Sequence, residues 1–283
     1  MRLLLVLLLA LPALAESPFH FKQVSASSFE LSENGQPVYV YNFGDMLPAG
    51  VPEDRRRCCY LHPVYAPNGV VVTDDFPKDH YHHRGIFWTW PVVTIEGKEY
   101  SLWDIRGIRA RFERWVRRET TSESAELAFE NGWYTGGKRV VREAVRIVAH
   151  PAVNGRRELD FTLSFEAVGV PVSLRGAPTN NKGYGGFSVR FAPREQTRIT
   201  TDAGVERKDS NMVPHPWAQE EGLFAKGRAG LRIDIDPSNP GYPNGWCLRH
   251  YGFLGVNYPG NDTLTLEPGK PLVLRYKVTV FAP

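Results

Sequence analysis

The chain has 283 residues, with 34 Lys and Arg against 31 Asp and Glu. The net charge of +3 is spread without a concentrated basic face, so nothing in it marks a nucleic-acid-binding protein. Hydrophobic residues make up 42% and charged residues 23%, the composition of an ordinary globular domain, which excludes a largely disordered chain.

The chain opens MRLLLVLLLALPALA: one cation at Arg2, an unbroken apolar run from Leu3 to Leu11, and Ala13-Leu14-Ala15 ahead of Glu16. That is the pattern of a secretory signal peptide. Residues 1–15 are expected to be removed near Ala15, and residues 16–283 to be exported to a periplasm or the medium as a single β-sandwich domain. No later apolar stretch approaches the roughly 20 residues that span a bilayer, so no membrane insertion of the mature chain is expected.

Strand candidates follow at 19–24, 28–31, 37–41 and 58–65. The run Arg55-Arg56-Arg57 reads as a solvated loop. Cys58, Cys59 and Cys247 are an odd set for an exported chain. Either Cys247 pairs with one of the vicinal two, or all three are buried apolar side chains. Further strands are expected at 108–118 and 123–134. In 141–148, Val141, Glu143, Val145 and Ile147 alternate with Arg142, Ala144, Arg146 and Val148. In 159–167, Leu159, Phe161, Leu163, Phe165 and Ala167 face one way, and Asn154-Gly155 supplies the turn between the two segments. Strands at 187–191, 231–235 and 246–256 follow. The polar, Pro-containing stretch 202–226 has no period and reads as a long loop. After the turn Glu267-Pro268-Gly269, residues Leu272, Leu274, Tyr276, Val278 and Val280 mark a last strand, central because it is long and free of Pro. With no helical period and 26 Gly and 22 Pro between short strands, the fold class is all-β, an antiparallel β-sandwich.

Segment 79–90 packs three of the eight histidines, His80, His82 and His83, beside Arg84, Trp88 and Trp90. If extended, it puts His80, His82 and Arg84 on one face and His83 with Tyr81 on the other. Two imidazoles so placed can serve acid/base catalysis, with Asp104 and His250 as partners. They can equally hold a divalent metal through His80 and His82, completed by His250, His62 or Asp104. A third reading buries them as hydrogen-bonding core residues. No other cofactor is predicted: the Gly-rich run 180–186 enters a strand rather than a helix, so it lacks a phosphate cradle, and no Gly-x-Ser-x-Gly elbow occurs. Aromatic rings, among them Trp88, Trp90, Trp103, Tyr184 and Tyr251, suit the apolar faces of a sugar. Arg84, Arg190, Arg249 and Lys182 can meet an anionic group such as a uronate carboxylate.

Segment 79–90, Trp103-Asp104, 185–190 and His250-Tyr251-Gly252 resemble the PmoA-like proteins of environmental bacteria, the DUF6807 type often labelled "methane oxygenase PmoA". His82-His83-Arg84-Gly85 is the most specific motif, and the likeness covers most of the mature chain. These proteins are distantly similar to the galactose-mutarotase-like β-supersandwich, whose histidines act as acid and sugar-binding groups and whose late carboxylate is the base. That resemblance implies the same sandwich and places His80, His82 and His83 at the first histidine cluster. Residues 246–250 fall on the carboxylate-bearing strand, yet no Glu or Asp stands there, which leaves His250 or Asp104 as substitute bases. Three functions follow: a carbohydrate-active enzyme with His-centred acid/base chemistry of epimerase, lyase or hydrolase type; a non-catalytic protein binding a sugar or glycan; or, from the family label, a copper-dependent oxidoreductase.

Overall fold

Alternation along a strand sends successive side chains to opposite faces, and in residues 17–283, the part of the chain that the computed structural model describes, this rule builds the molecule. The expected signal peptide lies outside the described residues. The first strands are β1 (Phe19–Ser25), β2 (Ser28–Glu33), β3 (Gln36–Asn42), β4 (Tyr60–Val64), β5 (Ile86–Thr89), β6 (Val92–Ile95) and β7 (Lys98–Tyr100). Four long strands follow: β8 (Arg109–Thr120), β9 (Ala125–Thr135), β10 (Lys138–Ala149) and β11 (Arg156–Ala167). Next come β12 (Val172–Arg175), β13 (Gly186–Arg190), β14 (Arg194–Thr201), β15 (Gly204–Glu206), β16 (Ser210–Pro214), β17 (Trp217–Phe224) and β18 (Gly227–Ile235). The last are β19 (Gly245–Arg249), β20 (Phe253–Asn257), β21 (Thr263–Leu266) and β22 (Leu272–Phe281). Among the described residues the only helical pieces are two three-residue 3-10 turns.

Two nine-stranded antiparallel sheets result, ordered β1-β2-β3-β4-β5-β13-β20-β19-β16 and β15-β14-β17-β18-β22-β11-β10-β9-β8, with a small sheet β21-β12-β6-β7 beside them. β10 and β11 pair as the expected hairpin, with Val145 opposite Leu163 and the turn residues Asn154 and Gly155 at positive φ. β22 lies between β11 and β18, a central strand as its sequence indicates. The large sheets face one another. Tyr41 stacks on Phe129 at 4.1 Å, Phe187 on Tyr276 at 4.5 Å, and Trp90 meets Phe165 edge-on at 5.2 Å, each pair crossing between elements of the core.

Glu143 sits on the inward face of β10, as its alternation with Val141 and Val145 requires, and is 1% exposed. It is tolerated because it accepts hydrogen bonds from Asn131 Nδ2 and Trp133 Nε1, both at 2.6 Å, while Tyr41 of the opposite sheet donates to Asn131 at 3.0 Å. A second polar tie joins the sheets, the buried pair of Arg157 on β11 with Glu33 on β2.

Two expectations are corrected. Stretch 202–226 is not a loop but holds β15, β16 and β17. Its inward residues on β17 are Ala218, Glu220, Gly222 and Phe224, too mixed to show apolar alternation. Region 246–256 is two strands, turned at Gly252, whose φ of +111° is one that residues with a side chain rarely adopt. For the cysteines the second of the two readings holds: all three are free and buried, with Cys58 Sγ and Cys59 Sγ 3.0 Å apart.

Candidate functional site

The middle of the first sheet is buried on both faces. On β5, β13, β19 and β20, residues Ile86, Trp88, Phe187, Val189, Trp246, Leu248, Leu254 and Val256 face the sandwich core. The alternate residues Phe87, Cys247 and Phe253 join Tyr60 and Trp103 in a separate apolar cluster. That cluster is the floor of a cleft of about 240 Å³ lined by His80, His82, His83, Trp103, Lys182, Tyr184, Cys247, Arg249, Tyr251 and Phe253. Strand register sets one row of it, with Arg190 opposite Phe253 and Phe253 opposite Arg249.

The imidazoles reach the cleft through turns, not through an extended segment as expected. Backbone bonds His80 N to Pro77 O at 2.9 Å and His83 N to His80 O at 2.8 Å wind the chain so that all three rings converge. The His80 and His83 rings lie parallel at 4.7 Å, and His82 stands perpendicular to both. The segment ends at Gly85, where an added Cβ would lie 1.9 Å from the Leu61 carbonyl oxygen, so only glycine lets β5 join β4 there.

Electrostatics assign each ring a role. Arg190 Nη2 donates to both oxygens of Asp79 at 3.0 Å, and Asp79 Oδ2 lies 2.9 Å from His80 Nδ1. Burial pushes the Asp79 carboxyl up, but the bonds from His80 and Arg190 outweigh it and hold the group below the usual carboxylate value. Ionised Asp79 can only accept, so in the neutral ring the His80 proton sits on Nδ1 and Nε2 carries a lone pair. His83 Nδ1 lies 3.4 Å from Arg190 Nη1, a donor only, which places the His83 proton on Nε2. Burial, then the neighbouring cations, holds His83 well below 6.5. Burial lowers His82 to about 4 against the opposing pull of Asp104, so both rings are neutral at pH 7. The neutral rings thus carry a lone pair at His80 Nε2 and an N–H at His83 Nε2. Trp103 adds a buried Nε1–H with no partner. Burial raises the Cys247 thiol to about 11, which makes it a poor nucleophile at neutral pH.

Among the residues singled out in the sequence, His80, His82, His83, Trp103, Lys182, Tyr184, Arg249 and Tyr251 line the cleft. Arg190 stands behind it, its guanidinium 4.9 Å from the Tyr251 ring centre. Trp88 and Trp90 do not reach it, because β5 turns them into the core, where Trp90 donates to Tyr258 O at 2.7 Å. Arg84 is buried elsewhere, beside Cys58 and Leu102. His250 points away, its Nδ1 on Asp209 at 2.9 Å, and His62 is held by Thr73 at 3.1 Å. Asp104 is tied to Ser101 at 3.1 Å and reaches the cleft through its charge, which acts on His82 and Tyr184. Sequence reading missed Asp79, Phe253 and the lining role of Cys247; the alternation of Cys247 with Arg249 on one strand was the available signal. No group of three or more His, Cys, Asp or Glu among the described residues is disposed to hold a metal ion. The two imidazoles expected to hold a metal, His80 and His82, have ring centres 5.6 Å apart and perpendicular planes. A larger depression of about 650 Å³ lies on the outer face of the second sheet, lined by residues such as Glu158, Arg232, Asp234 and Lys277. There Arg232 pairs with Asp234 and Lys277 with Glu158, and no imidazole is among the lining residues.

Fold and site together define an all-β, antiparallel sandwich protein with a histidine-lined cleft on the outer face of its first sheet. Residues 28–282 match the model of a family described as "Family of unknown function (DUF6807)", and the chain belongs to that family. The methane-oxygenase label finds no support here. No curated protein matches the chain. Among solved structures it is similar to a GalM/aldose epimerase homologue from C. elegans, at 7% identity over 94% of this chain and 98% of that one, TM-score 0.38. It is also similar to a galactose mutarotase related enzyme from Lactobacillus acidophilus, at 12% identity over 93% and 97%, TM-score 0.35. A heparinase III gene product shares 11% identity over 90% of this chain but 29% of its own, TM-score 0.31. Likeness this distant carries no weight for activity, and the fold rests on the strand pairings above.

Proposed function

We propose that this protein is an exported carbohydrate-active enzyme that moves a proton on a small sugar, with His80 as base and His83 as hydrogen-bond donor. The observation that carries this is the chain Arg190–Asp79–His80 opening onto an aromatic-walled cleft. A carboxylate that fixes one tautomer of an imidazole is the standard way to make it a directed base. Trp103, Tyr184, Tyr251 and Phe253 supply the apolar surface that a sugar ring needs. A cleft of about 240 Å³ is below the ~300–1,000 Å³ of drug-sized sites, which favours one ring over a long glycan. No Asp or Glu is among the lining residues, so the carboxylate pair of most glycoside hydrolases is lacking in the cleft, and epimerisation or elimination fits better than hydrolysis. Lys182 and Arg249, with no lining carboxylate to answer them, favour an acidic sugar such as a uronate.

The test is a calorimetric and NMR screen of aldoses and uronic acids with wild type and Asp79→Asn. Binding of a sugar by both proteins, with exchange or turnover in wild type alone, supports the reading. Binding without turnover in wild type makes the protein a sugar binder, and no binding of any sugar removes the carbohydrate assignment. Export rests on Arg2, the leucine run and 13–15; N-terminal sequencing of extracytoplasmic protein should begin near Glu16.

A further inference from the structure

Segment 101–106 gives Trp103 to the cleft and Leu102 and Ile105 to a second, much smaller cavity. Arg57, Arg84, Arg109 and Cys58 complete most of its wall, and no Asp or Glu lines it. Arg84 is 3% exposed, its Nε and Nη2 are buried without a hydrogen-bond partner, and it enters no ion pair among the described residues. Arg57 is 2% exposed. Its Nη atoms are occupied by Tyr81 O, His83 O and Asp75, but its Nε has no partner. Arg109 donates Nη2 to Asp45 at 2.8 Å, and its Nε is likewise buried and unpaired.

The charges do not balance. Arg57 and Arg84 are two buried cations, and the one carboxylate near them, Asp75, is taken by Arg57 and Tyr60. Burial and the neighbouring Arg57 lower Arg84 only to about 9, so it stays protonated at pH 7. A buried charge persists when a counter-charge answers it. The cavity measures about 10 Å³, room for the centre of one monatomic ion or one water, which excludes sulfate, phosphate and carboxylates.

We propose that this cavity binds one halide-sized inorganic anion, chloride in most media, between the guanidiniums of Arg84, Arg57 and Arg109. The anion supplies the missing negative charge and an acceptor for the four unpaired guanidinium nitrogens. It also stiffens the catalytic turn, since Arg57 grips the carbonyls of Tyr81 and His83 and Arg84 follows His83 directly. The site is separate from the sugar cleft and does not depend on what that cleft binds.

Thermal melts at constant ionic strength, with chloride or bromide replacing gluconate, test the proposal. Each tenfold rise in halide above its Kd should raise the Tm of wild type by about 2–4 °C. In Arg84→Met, which removes the uncompensated cation, the halide dependence should vanish. A wild-type Tm indifferent to halide overturns the proposal, as does a halide dependence that survives in Arg84→Met. Should that variant fail to fold, crystals of wild type grown in bromide decide: an anomalous peak against Arg84 is expected, and density there without anomalous signal identifies a water and refutes the anion.

Discussion

Asp79 fixes what His80 can do, and it does so from a position where removing its charge costs the fold little. The residue is half exposed at its side chain, with 49% relative accessibility, and its partners Arg190 and His80 sit at the cleft. Asp79→Asn should therefore lower turnover by about 10²-fold or more, the usual contribution of positioned acid/base groups, with little change in Tm. A second consequence concerns pH. His82 and His83 have folded pKa values depressed below 6.5, to about 4 for His82, because burial disfavours their charged forms. The unfolded chain then binds protons before the folded one does, so their contribution is intact above pH 6.5 and is lost as pH falls toward 4. Melts between pH 7 and 4 should show Tm falling across that window, and His82→Gln should flatten the slope. At Lys182, loss of the charge should weaken an acidic sugar about tenfold relative to its neutral counterpart, read by calorimetry on Lys182→Met.

At the scale of the element, β10 shows how alternation can bury a charge-bearing residue usefully. Glu143→Leu adds apolar surface to the core, yet it orphans the donors Asn131 Nδ2 and Trp133 Nε1. Each orphan should cost about 1–3 kcal/mol, so denaturant melts should show the leucine variant less stable than wild type. β5 depends on the opposite device, an absent side chain. Gly85→Ala forces a Cβ against the Leu61 carbonyl and should destabilise by about 1–3 kcal/mol, with activity falling too because the imidazole turn ends there.

Across the whole molecule, the two large sheets are held by an apolar core and by two polar ties, Tyr41 to Asn131 and Arg157 to Glu33. The second joins β2 to β11 with both side chains less than 10% exposed. Arg157→Met leaves Glu33 buried with only the Ala152 amide as donor and should cost about 3–5 kcal/mol in equilibrium unfolding. The double variant Arg157→Met with Glu33→Leu should recover most of that loss, because no unpaired charge then remains.

The sequence by itself determined the all-β class, the β10–β11 hairpin, the central last strand and the local density of histidines at 80–83. Those follow from period-two alternation, turn residues and local density, all of which act over a few residues. Stretch 202–226 escaped because β17 turns Ala218, Glu220 and Gly222 inward, and small or paired polar residues leave no apolar period. Only the tertiary structure decided which side chains share the cleft. Trp88 and Trp90 lie within ten residues of His80 yet point into the core, whereas Lys182, Tyr184, Arg249 and Tyr251 come from far along the chain. The face a residue takes depends on where a turn ends and a strand begins, and its neighbours depend on register across β5, β13, β20 and β19. Asp79 and Arg84 show the same limit: one holds the His80 ring and the other is sealed beside Cys58, a difference set by packing around the turn and not by the spacing of the motif.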